Sequence, residues 1–247
     1  MSFESSFYPE SKFGGFTDID GTVAFYLRVN ALLTASSVVL DVGCGRGAHA
    51  EDPVPARRDL RILRGKARRV IGIDVDAAAM NNPYLDEFHA LESGAWPVQD
   101  DSVDLIVCDY VLEHLEDPGV FFREVRRVLR MDGVICIRTP NLWGYNTLVS
   151  RLIPNRYHAR VTARVQQGRK EEDVFPTFYR CNTPAKIRSM LNRSGCTCNV
   201  AYGYSAEPSY LSFLRLAYWF GVLHQRYAPA FFKLTILAFG RRVAQTA

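Results

Sequence analysis

Leu40-Asp41-Val42-Gly43-Cys44-Gly45-Arg46-Gly47 is the stretch whose reading decides the fold. A short apolar run, Val38 to Val42, passes directly into a loop with glycine at every second position. A strand that ends this way needs glycine for the tight turn and for close approach of its backbone to a ligand. A loop that leads toward a helix also offers unsatisfied N–H groups to a carboxylate or phosphate. Taken alone the pattern is ambiguous, because Gly43-x-Gly45-x-x-Ala48 also fits a dinucleotide fingerprint.

Outward from this loop, apolar runs alternate with helical patterns, which predicts an α/β fold with a mostly parallel sheet. Val70–Asp74, Val103–Cys108 and Val134–Ile137 read as further buried strands, with a weaker strand over 87–91. Phe121, Phe122, Val125, Val128 and Leu129 recur at helical spacing behind Asp117 as cap and Pro118 as first helical residue. Met131-Asp132-Gly133 should end that helix. Thr183-Pro184 opens another, with Ile187, Met190 and Leu191 on one face and Gly195 as its stop. Pro53 and Pro55 confine any helix after the glycine loop to 56–64. Residues 197–202 and 233–241 read as the last two strands, and 209–223 as an apolar helix expected to be buried or to wall an acceptor pocket. Leu142 to Asn182 is too long for a plain connection and reads as an inserted lid or acceptor lobe inside a single domain spanning 1–247.

Composition narrows the function classes. At 247 residues the chain is long enough to bury a core without disulfides or metal. With 48% hydrophobic and 23% charged residues it is neither disordered nor fibrous. Thirty basic against 26 acidic residues give +4, too mild to argue for nucleic acid, and no nucleic-acid module accompanies the core. Glu4 and Glu10 interrupt an N-terminus with no apolar run, so no secretory leader is expected. The apolar stretch from Leu216 to Leu223 is far short of a membrane span, leaving only peripheral contact with a bilayer open. The cysteines, Cys44, Cys108, Cys136, Cys181, Cys196 and Cys198, lack paired C-x-x-C spacing and fit a reducing cytoplasm.

Three details bear on the ligand of the glycine loop. Asp41 lies inside the strand end, where it would welcome a cation and repel a pyrophosphate. Asp74 ends the next strand, where a carboxylate can take ribose hydroxyls. Gly47 comes one position early for the dinucleotide pattern. A ligand with a ribose and a zwitterionic, cationic tail satisfies all three, and S-adenosylmethionine is such a ligand.

These residues resemble the class I S-adenosylmethionine-dependent methyltransferases, in particular the small-molecule branch that includes ubiquinone and menaquinone methyltransferases. The glycine loop and Ile71-Gly72-Ile73-Asp74 match the first two family motifs. Trp96-Pro97-Val98-Gln99-Asp100-Asp101-Ser102-Val103-Asp104, Val111-Leu112-Glu113-His114-Leu115 and Glu124-x-x-Arg127-Val128-Leu129-Arg130-Met131-Asp132-Gly133 match three more, in order. The resemblance implies a seven-stranded sheet in the order 3-2-1-4-5-7-6 with strand 7 antiparallel, helices on both faces and the insert after strand 5. It implies S-adenosylmethionine as cofactor, held by Asp41, Gly43, Cys44, Gly45, Gly47, Asp74, Val75, Glu92, Asp109 and Tyr110. Some relatives bind a metal through an E-x-x-E-H pattern, but Tyr110 stands at its first position here, so no metal ligands are assigned.

Methyl transfer from a sulfonium needs alignment more than a catalytic set, with a base only for a hydroxyl acceptor of high pKa. His114 and His158 are the candidate bases, and the acceptor is expected to be a small or lipid-like molecule methylated at oxygen. Tyr179-Arg180 could floor its site, and Tyr26 and Arg28 could close the cofactor site. In the insert, Arg151, Arg156, Arg160, Arg164, Arg169 and Lys170 precede the first acid, Glu171. That run suits an anionic acceptor, a membrane surface or a solvated face equally. Arg57, Arg58, Arg61 and Arg64 read as the solvated face of a surface helix. A nucleotide-dependent oxidoreductase on a similar sheet and a cofactor-binding protein without catalysis are the competing readings.

Overall fold

The structure is a computed structural model that describes residues 3–92, 94–152 and 175–244. Its strands are β1 (Val38–Val42), β2 (Arg69–Asp74), β3 (Glu87–Ala90), β4 (Val103–Asp109), β5 (Leu129–Pro140), β6 (Cys198–Tyr204) and β7 (Thr235–Arg241). They form one sheet in the order β3-β2-β1-β4-β5-β7-β6. Strands β1 to β5 pair in parallel, and β7 runs antiparallel to both β5 and β6. This is the order and polarity that the resemblance implies.

Alternation along β1 explains how the sheet is buried on both sides. Leu40 and Val42 point to the face covered by α3 (Pro118–Val128) and, beyond α4 (Tyr145–Leu152) in the chain, α5 (Pro184–Arg193), among Phe122, Val125, Ile187 and Leu191. Val39 points to the other face, among Phe25 and Val29 of α1 (Gly21–Leu32) and Leu63 beyond α2 (Pro55–Arg61). Asp41, two residues on from Val39, falls on that second face. Capping follows the sequence. Asp20 Oδ1 accepts from Thr22 N and Val23 N at the start of α1, and Asp117 accepts from Gly119 N ahead of Pro118.

Some boundaries differ from expectation. Helix α3 stops at Val128, and β5 begins at once with Leu129 pairing Val103. The ladder resumes at Val134 opposite Leu105, so 130–133 bulge out, with Asp132 left-handed at φ 63°. Met131-Asp132-Gly133 is therefore a bulge inside the strand and not the helix stop. After the glycine loop the chain makes a 3-10 turn (Ala48–Glu51), and α2 ends at Arg61.

The apolar helix begins late. Ser209–Leu211 is a 3-10 turn, and α6 spans Arg215–Tyr227. Only its 218, 221, 222 stripe is buried. Tyr218 packs edgewise on Tyr8, while a Cβ at Gly221 would come within 2.5 Å of Pro208, which shows how closely that chain lies on the helix. Phe213 (72%), Leu216 (61%), Trp219 (43%) and Phe220 (57%) are exposed. The expected burial of this helix is thus corrected: one narrow stripe anchors it and the rest faces outward. Among the described residues no helix is long and apolar enough to cross a membrane.

Candidate functional site

The strand order reverses between β1 and β4, so the loops beyond their carboxyl ends diverge and leave a crevice. A cleft of about 1230 Å³ lies there. A single small-molecule site is roughly 300–1,000 Å³, so this cleft is larger than one small ligand needs.

The glycine loop forms one wall. Gly43 N and Cys44 N donate to Ile73 O at 2.8 and 3.3 Å, which ties the loop to β2. Gly43 is left-handed at φ 68°, and a Cβ there would meet Val111 Cγ2 at 2.4 Å. Gly45, also left-handed at φ 56°, differs: a Cβ there would meet nothing within 4 Å. Its face borders the open cleft. Gly45 N donates to Asp74 Oδ2 at 2.8 Å, and Asp76 N to Asp74 Oδ1 at 2.9 Å. The strand-end carboxylate thus holds the loop and also stands on the cleft wall.

Of the residues predicted from sequence, Gly43, Cys44, Gly45, Gly47, Asp74, Val75, Tyr110 and His114 line the cleft together. Asp41 is half-buried on β1 directly before this loop. Burial, aided by the nearby Asp109 carboxylate, pushes its pKa up to about 7. Asp109 is not on the wall. Arg138 Nε and Nη2 clamp it at 2.6 and 2.7 Å, and Tyr26 Oη donates to it at 3.0 Å. Burial opposes its charge, but Arg138 outweighs that and holds the carboxyl below its usual range. Glu92 is exposed and off the wall, although Leu91 and Gly94 beside it are on it. Arg28 points away from the cleft, with Nε donating to Tyr202 Oη at 3.3 Å. His158 lies outside the described residues.

His114 is fixed from outside its own loop. Its Nδ1 bonds Pro176 O at 2.7 Å. A carbonyl only accepts, so Nδ1 carries the proton and Nε2 the lone pair. Nε2 lies 4.0 Å from Glu113 Oε1. Phe178 N donates to Glu113 O at 2.7 Å, and Thr139 Oγ1 to Glu113 Oε2 at 3.0 Å. Asn182 Nδ2 in turn donates to Thr139 Oγ1 at 2.7 Å. These bonds bolt the returning end of the insert beside β4 and β5, with Phe175, Pro176 and Phe178 on the cleft wall.

Among the wall residues that sequence reading missed are His49, Arg57 and Arg61. Arg57 and Arg61 belong to the charge run that reads as a solvated face. The i, i+4 spacing instead turns both inward. Arg57 is consumed by acids, with Nε to Asp52 at 2.6 Å and Nη1 to Asp20 at 2.9 Å.

The sheet order and the loop with its strand-end carboxylate are those that the sequence resemblance implies. Residues 40–137 match the family described as a methyltransferase domain. A probable S-adenosylmethionine-dependent methyltransferase of Mycolicibacterium smegmatis is 38% identical over 108 residues, covering 42% of this chain and 38% of that protein. A ubiquinone biosynthesis O-methyltransferase of Neisseria meningitidis is 30% identical over 106 residues, covering 42% and 44%. The chain thus spans about two fifths of the length of these relatives. Geranyl diphosphate C-methyltransferase of Streptomyces coelicolor, solved with S-adenosyl-L-homocysteine, superposes with a TM-score of 0.51 at 14% identity, over 90% of this chain and 78% of that one. It shares the fold.

Proposed function

We propose that the protein transfers a methyl group from S-adenosylmethionine to a hydroxyl of a small, lipid-like acceptor. The observation that carries this reading is the single cleft joining the glycine loop and Asp74 at one end to His114 at the other. The residues present suit the cofactor. The face of Gly45 leaves space against the backbone, and the Asp74 carboxylate retains lone pairs for ribose hydroxyls beside the two amides it already accepts. Val75 and Tyr110 add apolar walls. Bound S-adenosylmethionine supplies a methyl carbon on a positively charged sulfur leaving group.

The chain's own residues do the rest. The cleft holds the acceptor oxygen in line and at near-attack distance. With Nδ1–H committed to Pro176 O, His114 takes the hydroxyl proton at Nε2, and the Glu113 carboxylate stabilises the resulting imidazolium. Residues 142–182 form the acceptor lobe, a reading supported by Phe175, Pro176 and Phe178 on the wall. The O-methyltransferase among the relatives favours oxygen as the methylated atom.

A lipid-like acceptor is supported by the ligand-side rim. Tyr204 and Pro140 flank Thr235 in the ladder, so 205–234 and α6 stand at the carboxyl end of the sheet, the same end as the cleft. That rim exposes Phe213, Leu216, Trp219 and Phe220, and no acid follows Glu207 anywhere in the chain, while Arg215 and Arg226 are exposed. An apolar surface flanked by these two cations suits peripheral contact with an anionic bilayer.

The test is product identification. Purified protein, methyl-labelled S-adenosylmethionine and a lipid extract should yield label in an organic-soluble methyl ether. Label on carbon or nitrogen would refute oxygen transfer, and no transfer to any component would refute the enzyme reading.

A further inference from the structure

The cleft holds a guanidinium whose purpose the fold does not explain. Arg61 is the last residue of α2 and lines the cleft. Its Nε is buried and makes no hydrogen bond, and among the described residues no acid lies within ion-pair distance of it. The neighbouring cations are satisfied. Arg57 is bonded to Asp20 and Asp52, Arg138 to Asp109, and Arg46 Nε to Asp76 at 2.7 Å. A buried donor left without a partner is costly, and one whose side chain lines a cleft can be satisfied by a ligand there.

A second group beside it is in the same condition. His49, also on the cleft wall, has its Nε2 buried without a hydrogen bond while its ring stacks on Tyr84 at 4.7 Å. Burial, together with the charge of Arg61, lowers its pKa to about 4, so it is a neutral imidazole near pH 7. The charge balance of the corner points the same way. Asp109 is already neutralised by Arg138, and burial keeps Asp41 partly protonated near neutrality. Neither acid fully compensates Arg61, so the corner has a net attraction for one anion.

Resting on the cofactor reading above, we propose that Arg61, with His49 beside it, binds the carboxylate of the cofactor's amino-acid end. The position fits. Arg61 stands over the Tyr26 ring at 5.8 Å and close enough to Asp41 and Asp109 to act on both, which sets it at the β1–β4 side of the glycine loop. Arg28, the arginine expected from sequence to close the site, is bonded to Tyr202 instead. A guanidinium presents paired donors in the geometry a carboxylate accepts, so lysine is a partial substitute at best.

The experiment is a calorimetric titration of wild type and Arg61→Gln with three nucleosides. S-Adenosylhomocysteine has both the carboxylate and the ammonium. Its decarboxylated analogue keeps only the ammonium, and 5′-methylthioadenosine has neither. Arg61→Gln should weaken S-adenosylhomocysteine by about 10- to 100-fold and leave the other two unchanged. Unchanged binding of 5′-methylthioadenosine also certifies that the variant is folded. Arg61→Lys should recover part of the loss.

Unchanged S-adenosylhomocysteine affinity in Arg61→Gln would overturn the proposal. So would an equal loss for the decarboxylated analogue, which would assign Arg61 to the ammonium end through Asp41. An equal loss for all three would make it a wall residue only. Wild-type protein that binds none of the three would instead overturn the cofactor reading, and the proposal with it.

Discussion

Replacing Asp74 by alanine separates two roles that one carboxylate performs. The side chain is 8% exposed and accepts Gly45 N at 2.8 Å and Asp76 N at 2.9 Å. Alanine leaves both amides without an acceptor. At roughly 1–3 kcal/mol for each unsatisfied buried donor, discounted because the cleft admits water to the loop, the fold should lose about 2–4 kcal/mol. For a chain of this size that lowers Tm by about 5–15 °C. The lost ribose contacts and the slackened loop should together weaken S-adenosylhomocysteine by at least about tenfold. Asp74→Asn keeps one acceptor oxygen, so its stability should fall about half as far. Thermal unfolding with and without ligand, beside calorimetric titration, reads both quantities. An Asp74→Ala protein with unchanged Tm would show that this carboxylate does not hold the loop. Unchanged affinity would remove Asp74 from the ligand site.

Other outcomes follow from single observations. Gly45→Val should still fold, because a Cβ there meets nothing within 4 Å, but less stably because the backbone is left-handed at φ 56°, and it should lose cofactor binding in a titration; normal binding would mean the loop is not the site. Gly43→Ala should also lose stability, from contact with Val111 at 2.4 Å on top of its own left-handed backbone at φ 68°, measurable as a lower urea midpoint. Asp41 has a folded pKa of about 7 against 3.8 for an unstructured carboxyl, so the folded state binds the proton more tightly. Its contribution to stability is then full below about pH 4 and lost as pH rises through about 7. Urea unfolding across that window should show a decline that Asp41→Asn lacks, and equal slopes would contradict the assignment. Sedimentation with anionic vesicles should carry the protein down at low salt and fail for Trp219→Glu with its fold intact. Wild type that stays in the supernatant at low salt would argue against bilayer contact.

Much of the fold was legible because its strands are buried on both faces. Val38–Val42, Val70–Asp74 and Val103–Cys108 stand out as apolar runs between polar helices. Their order was not in the periodicity and came from the motif resemblance. Boundaries were harder where tertiary contacts override local signals. Met131-Asp132-Gly133 has the composition of a helix stop, but Asp132 N bonds Arg242 O and Arg242 N bonds Gly133 O, so the C-terminal chain turns it into a strand bulge. The amphipathic helix began late because Pro208 and Leu211 pack over Gly221, a contact with no trace in local spacing.

The site divides in the same way. Glycines and strand-end acids announce themselves, since their spacing is dictated by the turn. Arg61 does not, because an arginine on a short charged helix looks the same in sequence whether it faces water or a cleft. Its one signal was the i, i+4 spacing from Arg57 behind Asp52. Asp109 shows the converse. It has the expected place after β4, yet its clamp, Arg138, lies on β5 opposite it in the sheet register, where only the fold brings them together.

The central claim, that this cleft is built for S-adenosylmethionine, is tested most directly by titrating the wild-type protein with S-adenosylhomocysteine and, separately, with NAD. Saturable binding of S-adenosylhomocysteine at one site per chain, with no heat from NAD, is the predicted result. Saturable binding of NAD with none of S-adenosylhomocysteine would contradict it and return the glycine loop to its dinucleotide reading.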